Sequence, residues 1–166
     1  MTSSPIHRVG QFWRHASARV TPQERANAER VLGPLASLFF ELPVNDQRHG
    51  LDVLQTSTQL EGQPSQLLQQ AALLHDLGKN EAHFSVIERS LTVFLRAVSP
   101  KALKAVLGSR PAFARRYRIY ADHARIGAER LRAAGAAELA GIVAEHHAKA
   151  PQSDVTRRLQ RADGRN

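Results

Sequence analysis

The stretch that most constrains the fold is Ala71-Ala72-Leu73-Leu74-His75-Asp76-Leu77-Gly78-Lys79. Four small or apolar residues in a row call for burial, and the chain then delivers an imidazole, a carboxylate and, three residues on, an ammonium to the same place. Neighbouring residues on a helix diverge by about 100° and cannot share one face. His75 and Asp76 are therefore either the polar last turn of a helix that Gly78 stops, or groups gathered by something that needs both. A metal ion at the mouth of the helix is such a thing. The stretch alone leaves both readings open.

Elsewhere apolar residues recur at intervals of three and four. Thr21-Pro22-Gln23-Glu24 is a capping box with proline at the first helical position, and Ala26, Val31, Leu32, Leu35, Leu38 and Phe39 follow at helical spacing, interrupted or bent around Gly33-Pro34. After Leu42-Pro43, Asn45 or Asp46 can cap a helix to about Gln59 that carries His49, Val53 and Thr56 on one side. The central helix starts near Gln66, and a short polar connection with His83 follows Lys79. Phe84, Ile87, Leu91, Phe94, Leu95 and Val98 then form an amphipathic helix expected to serve packing alone. Ser99-Pro100 caps a short helix to Gly108, and a run from Arg110-Pro111 to Gly135, in which a kink is allowed, carries Tyr120 and His123. A helix with Leu139, Ile142, Val143, His146 and His147 precedes Pro151, and the last, from Ser153 or Asp154, carries Leu159 and Asp163. No stretch alternates with period two for long enough to argue a strand. The pattern predicts an all-α, single-domain bundle of roughly six to eight helices, with residues 1–20, including Phe12 and Trp13, as an N-terminal extension and 21–166 as the domain.

The absence of cysteine removes disulfides, thiolate metal sites and a cysteine nucleophile. No apolar run approaches the length needed to span a bilayer, and the start lacks a leader's apolar core, so the expected location is cytoplasmic, with no membrane. The net charge of +8 raises the question of nucleic acid. Arginine is spread along the chain, however, with concentrations at Arg115, Arg116 and Arg118 and at Arg157, Arg158, Arg161 and Arg165. No DNA-reading module or interleaved aromatics accompany them, so most are expected to be solvated helix faces. A basic nucleic-acid-binding bundle is the less favoured alternative.

Eight histidines are many for 166 residues. Five of them, His49, His75, His123, His146 and His147, fall at or near apolar helix faces that a bundle would bring together, whereas His7, His15 and His83 do not. Each alone reads as a buried, hydrogen-bonded histidine. Five together with Asp76 and Asp163 would each need separate satisfaction, whereas one shared cation serves them all.

Arg48-His49, Leu73 to Lys79, and Leu159-Gln160-Arg161-Ala162-Asp163 together resemble the H…HD…D pattern of the HD-domain metal-dependent phosphohydrolases. Asp122-His123-Ala124-Arg125-Ile126-Gly127-Ala128-Glu129 is similar to the HPEIGAE segment of that superfamily's two-metal, HDIG-like branch, and Ile142-Val143-Ala144-Glu145-His146-His147 to its IVxxHH segment. The matched segments run from about residue 45 to residue 163, some 70% of the chain. The spacings of 23 residues from His123 to His146 and 17 from His146 to Asp163 are similar to those of bacterial diadenosine tetraphosphate hydrolases of the superfamily.

This resemblance implies one metal held by His49, His75, Asp76 and Asp163, with Asp76 bridging to a second completed by His123 and His146. His147 would be a further ligand or stand just behind one. It also implies one or two divalent ions, and His and carboxylate donors without sulfur suit Mn, Fe, Co, Ni or Zn. Such a pair would activate a bridging water for in-line attack on phosphorus, with Asp76 and Lys79 as the catalytic residues and Lys79 neutralising charge on the phosphate. The implied substrate is a small phosphorylated compound of nucleotide type, which Arg115, Arg116, Arg118 or Arg125 would contact if they do not simply face solvent. Ala124 and Arg125 replace the usual Pro-Glu. Asn45 replaces a glutamate ligand of the cyclic-di-GMP phosphodiesterases, and their GYP segment is missing, which argues against that substrate. The alternative within the same scaffold is a non-catalytic regulatory module that senses a phosphorylated ligand.

Overall fold

The computed structural model describes residues 19–84 and 86–166. The expected N-terminal extension lies outside the described residues except for Arg19 and Val20, as do His7 and His15. All regular structure among the described residues is helical: α1 (Pro22–Leu32), a 3-10 turn (Gly33–Leu35), α2 (Ala36–Phe40), α3 (Val44–Glu61), α4 (Gln66–Leu74), a second 3-10 turn (Leu77–Ala82), α5 (Val86–Val98), α6 (Pro100–Ser109), α7 (Pro111–Ala121), α8 (His123–Ala133), α9 (Ala137–Glu145) and α10 (Asp154–Asp163). The expected all-α bundle is therefore borne out. Gly33-Pro34 interrupts the first helix, one of the two outcomes expected there, and Asp122 divides the run from 110 to 135, where a kink is allowed, into α7 and α8.

Local chemistry sets most of the ends. The Thr21 and Glu24 side chains cap each other's backbone at the start of α1. The Ser65 hydroxyl accepts the Leu68 N–H at 3.3 Å, and Ser99 does the same for Ala102 at α6. Helix α3 departs from expectation: it begins at Val44 behind Pro43, with no side-chain cap. Asp46 is buried within its first turn rather than capping it, because Pro43 already ends the preceding segment and its carbonyl accepts the Asp46 and Gln47 N–H groups.

Helix α4 is the middle of the molecule. Leu68, Ala71, Ala72, Leu73 and Leu74 are all buried and join Leu32, Phe39, Val53, Leu131, Val143 and Leu159 in one core. Helices α1, α3, α9 and α10 pack on α4, and α8 packs along α9 and the second 3-10 turn. Glycine permits two of these approaches. At Gly50, beside His49, a Cβ would stand 3.0 Å from the Leu73 carbonyl oxygen. At Gly78 it would stand 2.1 Å from the His123 carbonyl oxygen and 2.8 Å from the Gly127 nitrogen. Gly78 is thus a point of contact between backbones and not merely the stop of a helix.

Helix α5 differs from its expected packing role. Thr92 is buried, whereas Leu91, Phe94 and Val98 are 46%, 57% and 65% exposed. Of the expected apolar stripe, Phe84 is buried and Leu95 half-buried, while Leu91, Phe94 and Val98 are not turned to the protein. The Ile87 side chain lies outside the described residues.

Candidate metal centre

Helix α4 ends between the two residues that first posed the problem. His75 keeps helical dihedrals, while Asp76, at φ −96° and ψ 9°, has left the helix and starts the 3-10 turn. The change of winding lets both side chains reach one point, where they are 1% and 3% exposed. His49 comes from α3, His123 from the first position of α8, His146 from the residue that ends α9, His147 from the turn after it, and Asp163 from the last turn of α10. All seven residues with the expected ligand pattern are brought together.

They form two sets that share a carboxylate. Asp76 Oδ2 lies 3.7 Å from His49 Nε2 and 3.5 Å from His75 Nε2. Asp163 Oδ1 faces the same two nitrogens at 3.0 and 3.8 Å. The other oxygen, Asp76 Oδ1, lies 3.3 Å from His123 Nε2 and 3.9 Å from His146 Nε2. His147 Nε2 completes the second set, 3.1 Å from His123 Nε2. His123, His146 and His147 form one group able to hold a metal ion and His49, His75 and Asp76 another, the donor atoms within each lying within 4.8 Å of one another.

The proton positions follow from the backbone. The Nδ1–H groups of His75, His123 and His146 donate to the carbonyls of Ala72, Tyr120 and Val143, at 3.0, 2.7 and 2.6 Å. Each acceptor stands three residues before its histidine. With Nδ1 protonated, the neutral ring presents a bare lone pair at Nε2. Burial, reinforced by charge on His75 and His147, pushes His146 down to about 3. Burial and charge on His123 push His147 down, and burial does the same to His75. His123 Nε2 and His146 Nε2 nevertheless face each other at 3.2 Å, an arrangement of two acceptors that no hydrogen bond satisfies when both rings are neutral. A cation satisfies it, and the donor set fits one.

The carboxylates are ready for the same role. Burial favours a neutral Asp76, but the Lys79 ammonium and the imidazoles of His75, His123 and His49 outweigh it and hold the carboxyl well below its usual range. For Asp163, the hydrogen bond from His49 and charge on His75 and His49 overcome burial and hold it at about 2. His49 is raised: burial opposes its charge, but Asp163 and Asp76 prevail.

Lys79 pairs directly with Asp76 Oδ2, and its ammonium lies 5.9 Å from the centre of the Tyr120 ring. Tyr120 and the carbonyls of Ala72 and Val143 are site components that the sequence pattern did not single out. The available signal is positional, since each lies three residues before a ligand-type histidine at a helix boundary. Of the arginines considered for substrate, Arg116 pairs with Glu88 and Arg125 with Asp122 and Glu129. Arg115 and Arg118 are exposed. His83 is exposed in a left-handed turn and belongs to neither set.

Compared with known families, residues 35–166 match the model described as "Cas3, HD domain". No curated protein and no solved structure gave a match to the chain.

Proposed function

Since the chain belongs to the Cas3, HD domain family, and so to the HD-domain metal-dependent phosphohydrolase superfamily, we propose that it is a divalent-metal-dependent phosphohydrolase whose substrate is a phosphoester or phosphoanhydride of small, nucleotide-like type. The observation that carries this reading is the division of Asp76, one oxygen toward His49 and His75 and the other toward His123 and His146. A carboxylate so placed suits two ions, drawn from Mn, Fe, Co, Ni or Zn, with Asp163 and His147 completing the ligands. When bound, such ions supply an activated water and neutralise phosphoryl oxygens. Lys79, released from Asp76, is then placed to hold a phosphate oxygen. The exposed His147 marks the open side of the site, and the reaction belongs in the cytoplasm.

A second reading, cleavage of nucleic acid, is favoured by the family match, because the HD domain of Cas3 is a nuclease domain. Both readings use the same phosphoester chemistry and differ in the size of what is bound. No helix among the described residues is long and apolar enough to cross a membrane.

The test is a panel of phosphomonoesters, nucleotides, dinucleoside polyphosphates and oligonucleotides, assayed with manganese, iron and cobalt supplied separately. Turnover that disappears in Asp76→Ala together with bound metal supports the proposal. Tight nucleotide binding with turnover of nothing in the panel would instead identify a non-catalytic sensor of a phosphorylated ligand. Undiminished activity in Asp76→Ala would end the two-metal reading.

A further inference from the structure

Two histidines adjacent in the chain are hard to aim at one point. Neighbouring side chains on a helix diverge by about 100°, yet His146 Nε2 and His147 Nε2 stand 3.2 and 3.1 Å from His123 Nε2. The centroids of their own rings are 3.9 Å apart. The chain manages this by leaving the helix: α9 ends at Glu145, and His146 and His147 form the turn beyond it. The backbone of that turn is loosely tied. The Ala148 N–H reaches the Glu145 carbonyl at 2.7 Å, but the His146 N–H reaches the Val143 carbonyl only at 3.5 Å, outside the usual range for such a bond.

The two rings are steadied in different ways. His146, like His123, donates its Nδ1–H to the carbonyl three residues before it, which sets the angle of the ring. His147 makes no such bond among the described residues, and it is exposed. Its aim therefore depends on how the backbone on either side of it is held.

Gln160 holds that backbone. From α10 its side-chain Nε2 donates to the His146 carbonyl at 3.1 Å and to the Ala148 carbonyl at 2.8 Å, one on each side of His147. With two carbonyls as partners, the amide can present only its nitrogen, and both of its N–H groups are used. Gln160 is half-buried and lies three residues before Asp163, on the same face of α10. One helix thus delivers a carboxylate to the first set of ligands and a clamp to the turn that carries part of the second.

From this placement we propose that Gln160 is a positioning residue for the second metal ion. It fixes the backbone around His147 so that His147 Nε2 stays beside His123 Nε2, and the affinity for that ion depends on it. Gln160 itself touches neither ion and acts through His147. The role rests on the two-metal reading of the site.

The experiment titrates cobalt(II) into the metal-free full chain by calorimetry and records the visible absorption of the bound ions, for the wild type, Gln160→Met, His147→Ala and the double variant. Methionine keeps the length and helix preference of glutamine and removes both donors. Loss of a group that orients a metal ligand costs about 10–100-fold in affinity, so one of two dissociation constants should rise about tenfold or more in Gln160→Met. It should be the constant that His147→Ala also raises, and the absorption of that ion should shift toward the His147→Ala spectrum. Adding Gln160→Met to His147→Ala should then change the constant by less than about twofold. Gln70→Met is the structural control, since it breaks the 3.1 Å bond from Gln70 Nε2 to the Val31 carbonyl that ties α4 to α1. It should lower the urea midpoint as Gln160→Met does and leave both constants unchanged. Constants that Gln160→Met does not move, an effect of equal size with and without His147, or an equal rise in Gln70→Met would overturn the positioning role while the two-metal reading stands. A wild-type chain that binds fewer than two cobalt ions would remove that reading, and the role with it.

Discussion

Replacing Gly78 with alanine puts one methyl group where the structure has no room for it. The added carbon would lie 2.1 Å from the His123 carbonyl oxygen and 2.8 Å from both the His123 carbonyl carbon and the Gly127 nitrogen. An unstrained carbon-to-oxygen contact is about 3.3 Å or longer, so the two backbones must part by roughly 1 Å. Neither side is a flexible side chain that can swing aside. Overpacking of this kind costs about 1–3 kcal/mol, and contact of backbone with backbone argues for the upper end, a fall in melting temperature of about 6–12 °C for a chain of this size. The same displacement acts on the site, because Asp76 precedes Gly78 by two residues and its Oδ1 lies 3.3 Å from His123 Nε2. Gly141→Ala is the control: a Cβ there meets nothing within 4 Å, and exchanging a helical glycine for alanine stabilises by about 0.5–1 kcal/mol. Urea unfolding of the metal-free variants gives the stabilities, and elemental analysis after reconstitution gives bound metal. Gly78→Ala should lose both stability and metal while Gly141→Ala loses neither. Equal stability and metal content in the two variants would refute the close approach as the reason for glycine at 78.

Other outcomes follow from the charges. Lys79→Gln removes the cation that pairs with Asp76, so metal affinity should hold or rise by calorimetry while the rate of phosphoester hydrolysis falls about tenfold or more; a parallel loss of both would mean that Lys79 serves only to shape the site. His146 titrates near 6.5 when unfolded but at about 3 when folded. The unfolded chain therefore binds more protons between those values, and stability of the metal-free protein falls as pH drops from 6.5 toward 3. Asp163, held at about 2 against 3.8, adds a loss in the same direction between those two values. His49, whose pKa is raised, adds stability as pH falls toward 6.5 from above, and below 6.5 its contribution is constant and leaves the decline unopposed. Chemical denaturation across pH 4–7 should show the net decline, and His146→Gln should flatten it. Ser65→Ala, which removes the α4 cap, should cost about 1 kcal/mol without altering the metal content of the folded protein.

What the sequence discloses and what it withholds divide along physical lines. The ligand pattern is legible because His and Asp at helix boundaries are costly unless they share a purpose, and because their order along the chain matches a known pattern. A kink in the run from 110 to 135 is readable, but its place at Asp122 is not, because Tyr120, His123 and Ile126 keep helical spacing across it. Gly78 reads locally as a helix stop, since its true constraint is a carbonyl 45 residues away in the chain. The stripe of Leu91, Phe94 and Val98 reads as core because periodicity reports that a face is apolar, not what lies against it. Charge misleads when only the basic residues are followed: the arginines are scattered along the chain, and the imbalance appears only when the acidic residues are counted beside them, none of which falls between Arg89 and Ala121.

The three backbone carbonyls behind His75, His123 and His146 have a consequence for how the centre forms. The carbonyl of Ala72 belongs to a final helical turn, where acceptors lack partners within the helix; that of Val143 is shared with the His146 backbone N–H at 3.5 Å, and that of Tyr120 lies beside the break between α7 and α8. Spending these acceptors on imidazole N–H groups fixes ring orientation as the helices themselves form. The freedom of the rings is thus given up during folding rather than on capture of an ion, so association should be limited by removal of water from the ion and displacement of Lys79, not by a search among side-chain conformations. Fraying of α4 or α9 by a single residue would undo that advantage at a distance from any residue that touches the ion.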